Sequence, residues 1–437
     1  MPSPVDRQPT ATRRGVLRGA AGAVAGVAAV SRRTAGQTPP TATPTVMTQN
    51  VYVGVDLFDL VDADSTAALL LTLGRFLDQL DPDRYAARAR GIAASITTAQ
   101  PDVVALQEVT QIEQLGEEER ETIVDMRSQI QSALAVQDLS YEIAAQTATA
   151  DLTLPTLGDQ AGLRVANRDV LLVQEDHSTA NVMTGTYDAT ASVAIPDSDR
   201  TFSIERGYAA ADVTVEDATF TAISTHFEAS SRSTRETQAT ELLELVPTDR
   251  PVVLAGDFNS GPGTTTDAYT QLTDRFEDPF ATLHPNEDAF TCCQAGNLEN
   301  EQSQLEKRVD TILSDGDMQP TAVRRVGHRR KDRITFDSEA GPVELWPSDH
   351  AGVVATFEME TQDGQTPTAT PTTTPTPVSN TQTATESDAS PETTNTTPIT
   401  DTVDSDDGNG PGFGVISALG AVGGLGYALR RRLGRNE

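Results

Sequence analysis

Six short polar motifs, each at an end of a predicted β-strand, carry side chains that could hydrolyse a phosphate ester. They are Asn50, Gln107-Glu108, Thr225-His226, Gly256-Asp257-Phe258-Asn259, Arg308-Val309-Asp310 and Ser348-Asp349-His350. Together they supply carboxylates, carboxamides and two imidazoles. Carboxylate and amide oxygens can hold a hard divalent cation, and a bound cation with nearby bases can activate water for attack on phosphorus.

Two of these motifs follow strands that are predominantly apolar. Residues 102–107 run into Glu108, and residues 251–256 run into Asp257 and Asn259. Strand ends are where α/β proteins commonly place functional groups. Glu108 fits the one or two carboxylates that a magnesium site takes from a protein. Asp257 could bind or deprotonate a water, and Asn259 could orient it or hold a phosphate oxygen, although Gly, Asp and Asn also form ordinary turns.

The remaining motifs bring imidazoles and acids together. A carboxylate beside an imidazole fixes its tautomer and raises its basicity, and Asp310 and His350 could form such a pair, which leaves Asp349 near the metal. His226 ends another strand, where a histidine taken alone is more often structural. Asn50 ends the first strand and could hydrogen-bond a metal-ligating carboxylate.

The elements that must position these motifs are numerous. Strand-like runs cover residues 46–53, 102–109, 141–145, 169–174, 190–195, 202–215, 219–226, 251–258, 309–313, 321–326 and 351–359. Helical patterns cover residues 65–80, 84–98, 117–135 and 233–245. About eleven strands exceed what one open sheet comfortably holds. The sequence therefore predicts an α/β domain of two packed sheets with helices outside.

In order and spacing, the six motifs resemble the endonuclease/exonuclease/phosphatase superfamily. Its members are Mg-dependent hydrolases that include deoxyribonuclease-like nucleases, abasic-site endonucleases, inositol-phosphate phosphatases and sphingomyelinase-type phospholipases. The resemblance spans most of residues 45–360. It implies a four-layered α/β sandwich, with two mostly antiparallel mixed sheets flanked by helices and the active site at one edge of both sheets.

The resemblance also implies a divalent cofactor, Mg²⁺ or Mn²⁺, since both suit oxygen ligands. Glu108 matches the principal metal ligand and is supported by Asn50, which is also a candidate for contacting the metal and the substrate. Asp349 matches the acid that reaches the metal, directly or through water. Asp169, at the start of a strand, is a further candidate near the site.

The catalytic positions are implied in the same way. Asp257 matches the residue that orients or deprotonates the attacking water, with Asn259 beside it on the phosphate. His350 matches the histidine that stabilises the transition state and is oriented by Asp310. His226 matches a phosphate-contacting position that is a histidine in several branches.

Two segments lie outside the shared pattern and could shape substrate access. They are residues 55–100 and Thr291-Cys292-Cys293-Gln294. The chain has two cysteines, and because they are adjacent they exclude the usual spaced zinc ligands and a disulfide scaffold. A vicinal disulfide and two buried thiols both remain open.

The charge balance is strongly acidic, with 64 acidic and 32 basic residues and a net charge of −32 at pH 7. Such a charge disfavours the compact state unless salt screens it. This predicts a protein of a salt-loving organism; the alternative is an ordinary acidic secreted protein. General nucleic-acid binding is disfavoured because it needs clustered cations. One exception is the arginine-rich stretch at residues 324–333, which could grip a polyanion or form a solvated strand edge.

The two ends of the chain predict its location. Residues 1–36 carry Arg13-Arg14 before an apolar run and resemble a twin-arginine export signal, with a Sec-type signal or an uncleaved anchor as alternatives. Residues 361–410 have the composition of a disordered stalk. Residues 411–437 resemble the sorting tail of archaeal surface proteins handled by an archaeosortase, with a plain membrane anchor as the alternative. Residues 45–360 remain as the catalytic domain.

The leading functional hypothesis is an exported, cell-surface-anchored, metal-dependent phosphoesterase that acts by direct water attack. A nuclease acting on DNA or RNA is the first interpretation. Phospholipase C or sphingomyelinase-like action on lipid headgroups, or phosphomonoesterase activity, is the alternative. A non-catalytic, surface-displayed binding protein is a third hypothesis, and we expect a monomer in each case.

Overall fold

The computed structural model describes residues 41–54, 65, 68, 80–116, 119–154, 162–194, 201–338 and 340–361. The strands are β1 (Thr41–Ala42), β2 (Thr45–Asn50), β3 (Val103–Gln107), β4 (Gln111–Leu115), β5 (Arg120–Asp125), β6 (Tyr141–Leu154), β7 (Gly162–Gln174), β8 (Ser178–Thr186), β9 (Ala191–Ala194), β10 (Thr201–Ile204), β11 (Gly207–Val215), β12 (Ala218–His226), β13 (Val252–Asp257), β14 (Asp310–Asp315), β15 (Gln319–Val326), β16 (Ile334–Ser338), β17 (Gly341–Leu345) and β18 (Gly352–Glu360). The helices are α1 (Pro82–Ala99), α2 (Met126–Ala135), α3 (Arg232–Leu245), α4 (Ala268–Thr273) and α5 (Pro279–Leu283), with a 3₁₀ turn at Arg330–Asp332.

Two large sheets carry the polar motifs. The nine-stranded sheet has the order β1-β18-β2-β3-β7-β4-β5, with β15 also pairing β18 and β6 also pairing β7. The five-stranded sheet has the order β14-β13-β12-β11-β8. Both sheets are mixed, because β2 runs parallel to β3 and β12 runs parallel to β13, while their other pairs are antiparallel. Two small hairpins, β9-β10 and β16-β17, complete the described strands.

The two sheets pack face to face through one apolar core. Val46, Val103 and Leu171 of the nine-stranded sheet join Phe220 and Val253 of the five-stranded sheet in a single buried cluster. Each of these side chains has no exposed surface. Apolar burial of this kind contributes about 25 cal/mol per Å², so this core is a principal source of the domain's stability.

Helices cover the outer faces of both sheets. Successive strand residues point to opposite faces, so Val104 packs outward against Ile92 of α1 and Ile130 of α2. On the other sheet, Leu254 packs outward against Leu242 of α3. The order is therefore helix, sheet, sheet, helix, and the predicted four-layered α/β sandwich is confirmed.

One predicted helix is wrong in its first half. Residues 120–125 form strand β5 rather than a helix and pair antiparallel with β4. Three β-branched residues in a row, Thr122, Ile123 and Val124, favour the strand. The helix begins only at Met126, where the Asp125 carboxylate accepts a hydrogen bond from the Ser128 N–H at 3.0 Å.

Other differences are smaller. The predicted strand at residues 202–215 is two strands, β10 and β11. Strands β1, β4, β5, β8, β16 and β17 and helices α4 and α5 were not predicted. The predicted helix at residues 65–80 lies almost wholly outside the described residues. The export signal, the stalk beyond residue 361 and the segment 411–437 also lie outside them. Within the described ranges, no helix is both long enough and apolar enough to cross a membrane.

Arg88 of α1 joins two loops that carry site residues. Its side chain is 1% exposed. The Nη2 group donates to the carbonyls of Val51 at 2.5 Å and Tyr52 at 2.6 Å, and the Nε group donates to that of Pro347 at 3.1 Å. These loops directly follow Asn50 and precede the Ser348-Asp349-His350 motif, so one buried guanidinium holds both.

We predict that Arg88→Met lowers the free energy of unfolding by about 3 kcal/mol, because it leaves buried carbonyls without a donor. Urea unfolding followed by the fluorescence of the single tryptophan measures this. Arg90→Met, on the exposed face of the same helix, is the matched control. An equal loss in both variants would contradict a tethering role for Arg88.

Candidate active site

Three site residues lie side by side across adjacent strands. In the pairing of β12, β13 and β14, His226 is opposite Asp257, and Asp257 is opposite Asp310. Side chains of residues paired in this way point to the same face of a sheet, and all three are at most 1% exposed. Strand register therefore brings together an imidazole and two carboxylates that are far apart in sequence.

Gly256 permits the close approach of β12 and β13 at this point. A Cβ atom at position 256 would lie 2.1 Å from the carbonyl oxygen of Thr225. Any other residue would force the two strands apart next to Asp257. The glycine of the Gly-Asp-Phe-Asn motif is thus a packing requirement of the site.

His350 completes the arrangement from the nine-stranded sheet. Its Nδ1 atom lies 2.7 Å from Oδ2 of Asp310, so the structure brings together the two residues that the sequence suggested as a pair. The backbone N–H of His350 donates to Ser348 Oγ at 3.1 Å, and that hydroxyl donates to the Asn50 carbonyl at 2.7 Å. These bonds attach the Ser-Asp-His motif to the end of β2.

The electrostatic surroundings of His350 favour the imidazolium. Burial disfavours the charged ring, but the carboxylates of Asp310, Asp349 and Asp257 outweigh burial and hold its pKa well above the ordinary value. Since Nδ1 donates to Asp310, Nε2 carries the second ring proton of the imidazolium. Nε2 lies 4.0 Å from Asp349 Oδ1 and 3.8 Å from Cys293 Sγ. A charged donor of this kind can stabilise negative charge on a phosphoryl oxygen.

His226 is held in the opposite state. Burial and the neighbouring Arg206 cation lower its pKa well below the ordinary value, so the ring is neutral. Nη1 of Arg206 lies 2.9 Å from Nδ1 of His226. Because a guanidinium can only donate, Nδ1 accepts and the ring proton resides on Nε2, 3.5 Å from Asp257 Oδ2.

Asp257 is an ionised acceptor between these two rings. Burial alone would raise its pKa, but the positive His350 ring and the hydrogen bonds from Asn259 and Asn50 lower the pKa below the ordinary value. Oδ1 accepts from the backbone N–H of Asn259 at 2.9 Å, and Oδ2 accepts from the Asn50 amide at 3.1 Å. A carboxylate with a lowered pKa is a weak base. Asp257 is therefore better suited to orient a water by accepting a hydrogen bond than to remove and keep a proton from that water.

The Asn259 backbone has φ 46°, in the left-handed region that asparagine tolerates well. Its amide nitrogen donates to the Phe227 carbonyl at 3.0 Å and lies 3.2 Å from His226 Nε2. The side chain is therefore fixed beside the neutral imidazole. This position is compatible with the expected phosphate contact.

The structure directs Asn50 to Asp257 rather than to Glu108. Parallel pairing places Asn50 opposite Gln107, one residue before Glu108. Glu108 then turns away with φ 56°, and its Oε2 atom accepts from the Val53 N–H at 3.0 Å. The Glu108 carboxylate is therefore held by the Val53 N–H and not by Asn50, whose amide donates to Asp257.

The acidic side chains around the site form an excess of negative charge. They are Glu108, Asp169, Asp257, Asp310 and Asp349. Burial, with the nearby Glu108 carboxylate, raises the pKa of Asp349 to about 7 and that of Asp169 to about 8. Both oxygens of Asp169, and Oδ1 of Asp310, lack a hydrogen bond of normal geometry among the described residues. Buried carboxylate oxygens of this kind fit a divalent cation such as Mg²⁺ or Mn²⁺.

Two sets of residues could hold that cation. In the first, Asp257, Asp310 and His350 have potential ligand atoms within 4.8 Å of one another. Those side chains are already bonded to each other or to neighbouring amides. Glu108, Asp349 and Asp169 form the second set, which is linked by charge, because the Glu108 carboxylate contributes to the raised pKa of the other two acids. Among the described residues, the 4.8 Å spacing of ligand atoms holds for the first set and not for this one.

Two residues of the site were missed or underrated at the sequence level. Arg206 was missed, although a charged Glu-Arg pair that interrupts the run 202–215 is a usable signal. Asp169 was only a secondary candidate, yet it is fully buried among the acids. Their importance arises from partners that are distant in sequence.

The arginine-rich stretch at residues 324–333 divides into two groups. Arg325 donates to the Phe290 carbonyl at 2.6 Å, and Arg333 donates to Glu344 at 2.9 Å, so these two serve the fold. Arg324, Arg329, Arg330 and Lys331 are exposed. If this stretch binds a polyanion, these four exposed cationic side chains would make the contacts.

The chain matches no family profile and no curated protein. It is similar to several solved structures. Truncated TDP2 from Caenorhabditis elegans is 16% identical, over 72% of this chain and 97% of that one, with a TM-score of 0.42. An endonuclease/exonuclease/phosphatase family protein from Bacteroides thetaiotaomicron is 15% identical over 73% and 99%, with a TM-score of 0.45. An endonuclease/exonuclease/phosphatase from Beutenbergia cavernae is 18% identical over 73% and 72%, with a TM-score of 0.45.

We predict that Asp310→Asn lowers the pKa of His350, because the amide removes the negative charge nearest to Nδ1. Histidine side-chain NMR titration measures the shift directly. The matched control is Asp102→Asn, whose carboxylate lies 2.7 Å from a different imidazole, that of His177. The control should leave the titration of His350 unchanged, and an unchanged titration in Asp310→Asn would refute the assigned pairing.

We predict a second pH effect from Asp169 in chelator-treated protein. Its folded pKa of about 8 lies above the ordinary value of 3.8. Between these values the folded state keeps a proton that the unfolded state has lost, so stability falls as pH rises. From about pH 5 to about pH 8, the unchanged protein should lose on the order of 4 kcal/mol more stability than Asp169→Asn.

Urea unfolding at constant high salt measures this difference. Asp138→Asn replaces an exposed carboxylate and should follow the unchanged protein. Parallel pH profiles for Asp169→Asn and the unchanged protein would mean that Asp169 is ionised in the fold.

Proposed function

We propose that this chain is a divalent-metal-dependent phosphoric ester hydrolase of the endonuclease/exonuclease/phosphatase type. The observation that carries the proposal is the row His226, Asp257 and Asp310, closed by the Asp310–His350 hydrogen bond of 2.7 Å. It places one neutral and one charged imidazole on either side of an ionised carboxylate. Such a set can orient water and stabilise an anionic transition state.

Each group has a role in this proposal. Asp257 accepts a hydrogen bond from the attacking water and orients it toward phosphorus. The Nε2 proton of His350 stabilises charge that develops on a phosphoryl oxygen, while Asp310 fixes the ring. The Nε2 proton of His226 and the Asn259 amide hold the phosphate. A divalent cation bound by the Glu108, Asp169 and Asp349 set would neutralise charge on the phosphoryl oxygens.

Nucleic acid is the substrate class that we propose first, with a phosphodiester bond as the target. Support comes from the order of the six motifs and from the proposed export, since an enzyme outside the cell can release phosphate from DNA. We further propose that the chain is exported through the Arg13-Arg14 signal and held at the surface by residues 411–437. That tether is the reason to test phospholipid headgroups as the second class.

We predict that turnover needs a divalent cation and that Asp257→Ala and His350→Ala each lower kcat by about 100-fold or more. A panel at high salt, with and without chelator, measures this on plasmid DNA, RNA, phospholipids, inositol phosphates and nucleotides. His177→Ala is the control, because that imidazole also pairs with a carboxylate, Asp102 at 2.7 Å, at the opposite end of β3. Turnover that survives chelation or the Asp257 change would reject the proposal.

A further inference from the structure

The segment from Thr291 to Gln294 runs between the two halves of the His350–Asp310 pair. On one side, Thr291 Oγ1 accepts from the backbone N–H of Asp310 at 3.1 Å. On the other side, Gln294 N–H donates to the Asp349 carbonyl, and Ala351 N–H donates to the Thr291 carbonyl, both at 2.8 Å. The two cysteines lie at the centre of this segment, so the backbone fixes them against the site.

The sulfur atoms lie beside the reactive edge of His350. Cys292 and Cys293 are joined in a disulfide, and Cys293 Sγ lies 3.8 Å from His350 Nε2. The Sγ atoms of both cysteines and one ring nitrogen of His350 lie within 4.8 Å of one another. Cys292 is 7% exposed, and Cys293 is half-buried.

We propose that reduction of this disulfide creates a second metal site, made by Cys292, Cys293 and His350, for a thiophilic cation of the Zn²⁺ class. Two thiolates and an imidazole are the donors that such cations prefer. The oxygen-seeking cation of the proposed activity instead prefers the nearby carboxylates. Asp310, hydrogen-bonded to Nδ1, is the partner that commonly orients a metal-binding histidine.

The chemistry of the two steps is balanced. A phosphine or dithiol reductant supplies two electrons to the S–S bond, and the two sulfurs become thiols while the reductant is oxidised. Binding of the cation then transfers no electrons: the two thiols and Nε2 of His350 release protons to solvent as their lone pairs bind the metal. In the oxidised form the sulfurs are bonded to each other and supply no thiolate.

A Zn²⁺-class cation bound by Cys292, Cys293 and His350 would stop hydrolysis. This consequence rests on the proposed function. Nε2 of His350 cannot donate to a phosphoryl oxygen while it binds a cation. The oxidised chain would therefore be active and insensitive to Zn²⁺. The reduced chain would be inhibited by a stoichiometric amount of Zn²⁺ and restored when a chelator removes it and Mg²⁺ is resupplied.

Cadmium titration of the full chain at high salt tests the site directly. The protein is reduced with a phosphine, freed of excess reductant, supplied with excess Mg²⁺ to occupy the carboxylates, and titrated with Cd²⁺. We expect the ultraviolet thiolate-to-cadmium charge-transfer band to saturate at a single equivalent in the reduced chain and to be absent in the oxidised chain. No band in the reduced chain would overturn the proposal.

Two variants separate the ligands. The double change Cys292→Ser with Cys293→Ser should abolish the band. His350→Gln should keep the band but weaken Cd²⁺ affinity by at least about 10-fold, because it removes one of the three proposed ligands. Zn²⁺ inhibition that persists in the double variant would assign the inhibition to the carboxylates and overturn the proposal. The absorption band does not depend on turnover, so a chain that hydrolyses no phosphate ester would reject the proposed function and leave this test intact.

Discussion

The pairing register of β12, β13 and β14 is the constraint on which the rest of the site depends. It places His226, Asp257 and Asp310 in one row, and a slip of one residue would turn every one of these side chains to the other face of the sheet. Two apolar layers on opposite sides of β13, through Val253 and Leu254, fix the register. The chemistry of the site is thus set by how the core packs.

Charge then assigns different tasks to similar groups. His350 lies among carboxylates and is held as an imidazolium, whereas His226 lies against Arg206 and is held neutral. Nearby, the buried oxygens of Asp169 lack a hydrogen bond of normal geometry among the described residues, an arrangement that would suit a bound cation. One group of acids therefore offers oxygens that could hold a cation and also keeps His350 positively charged.

Much of this arrangement could be predicted from the sequence, because an apolar run that ends in a polar residue marks both a strand and its functional end. Gly256 to Asn259 are an example. The partner of Asn50 could not be predicted, since it depends on a parallel register and on the backbone turn at Glu108. The role of Arg206 and the strand at residues 120–125 were missed for a similar reason: both are decided by contacts with elements that local sequence patterns do not contain.

The vicinal cysteines link this site to the proposed route of the protein. A twin-arginine signal carries proteins that have already folded, and the compartment in which they fold keeps thiols reduced, whereas the outside permits disulfides. Under the proposed export, the chain would first fold with Cys292 and Cys293 as thiols beside His350 and with the Zn²⁺-class site available. Oxidation outside would close that site and free Nε2 for the phosphate. In this way the enzyme would stay inactive inside the cell, where the cell's own phosphate esters could be cleaved, and would become active only after export.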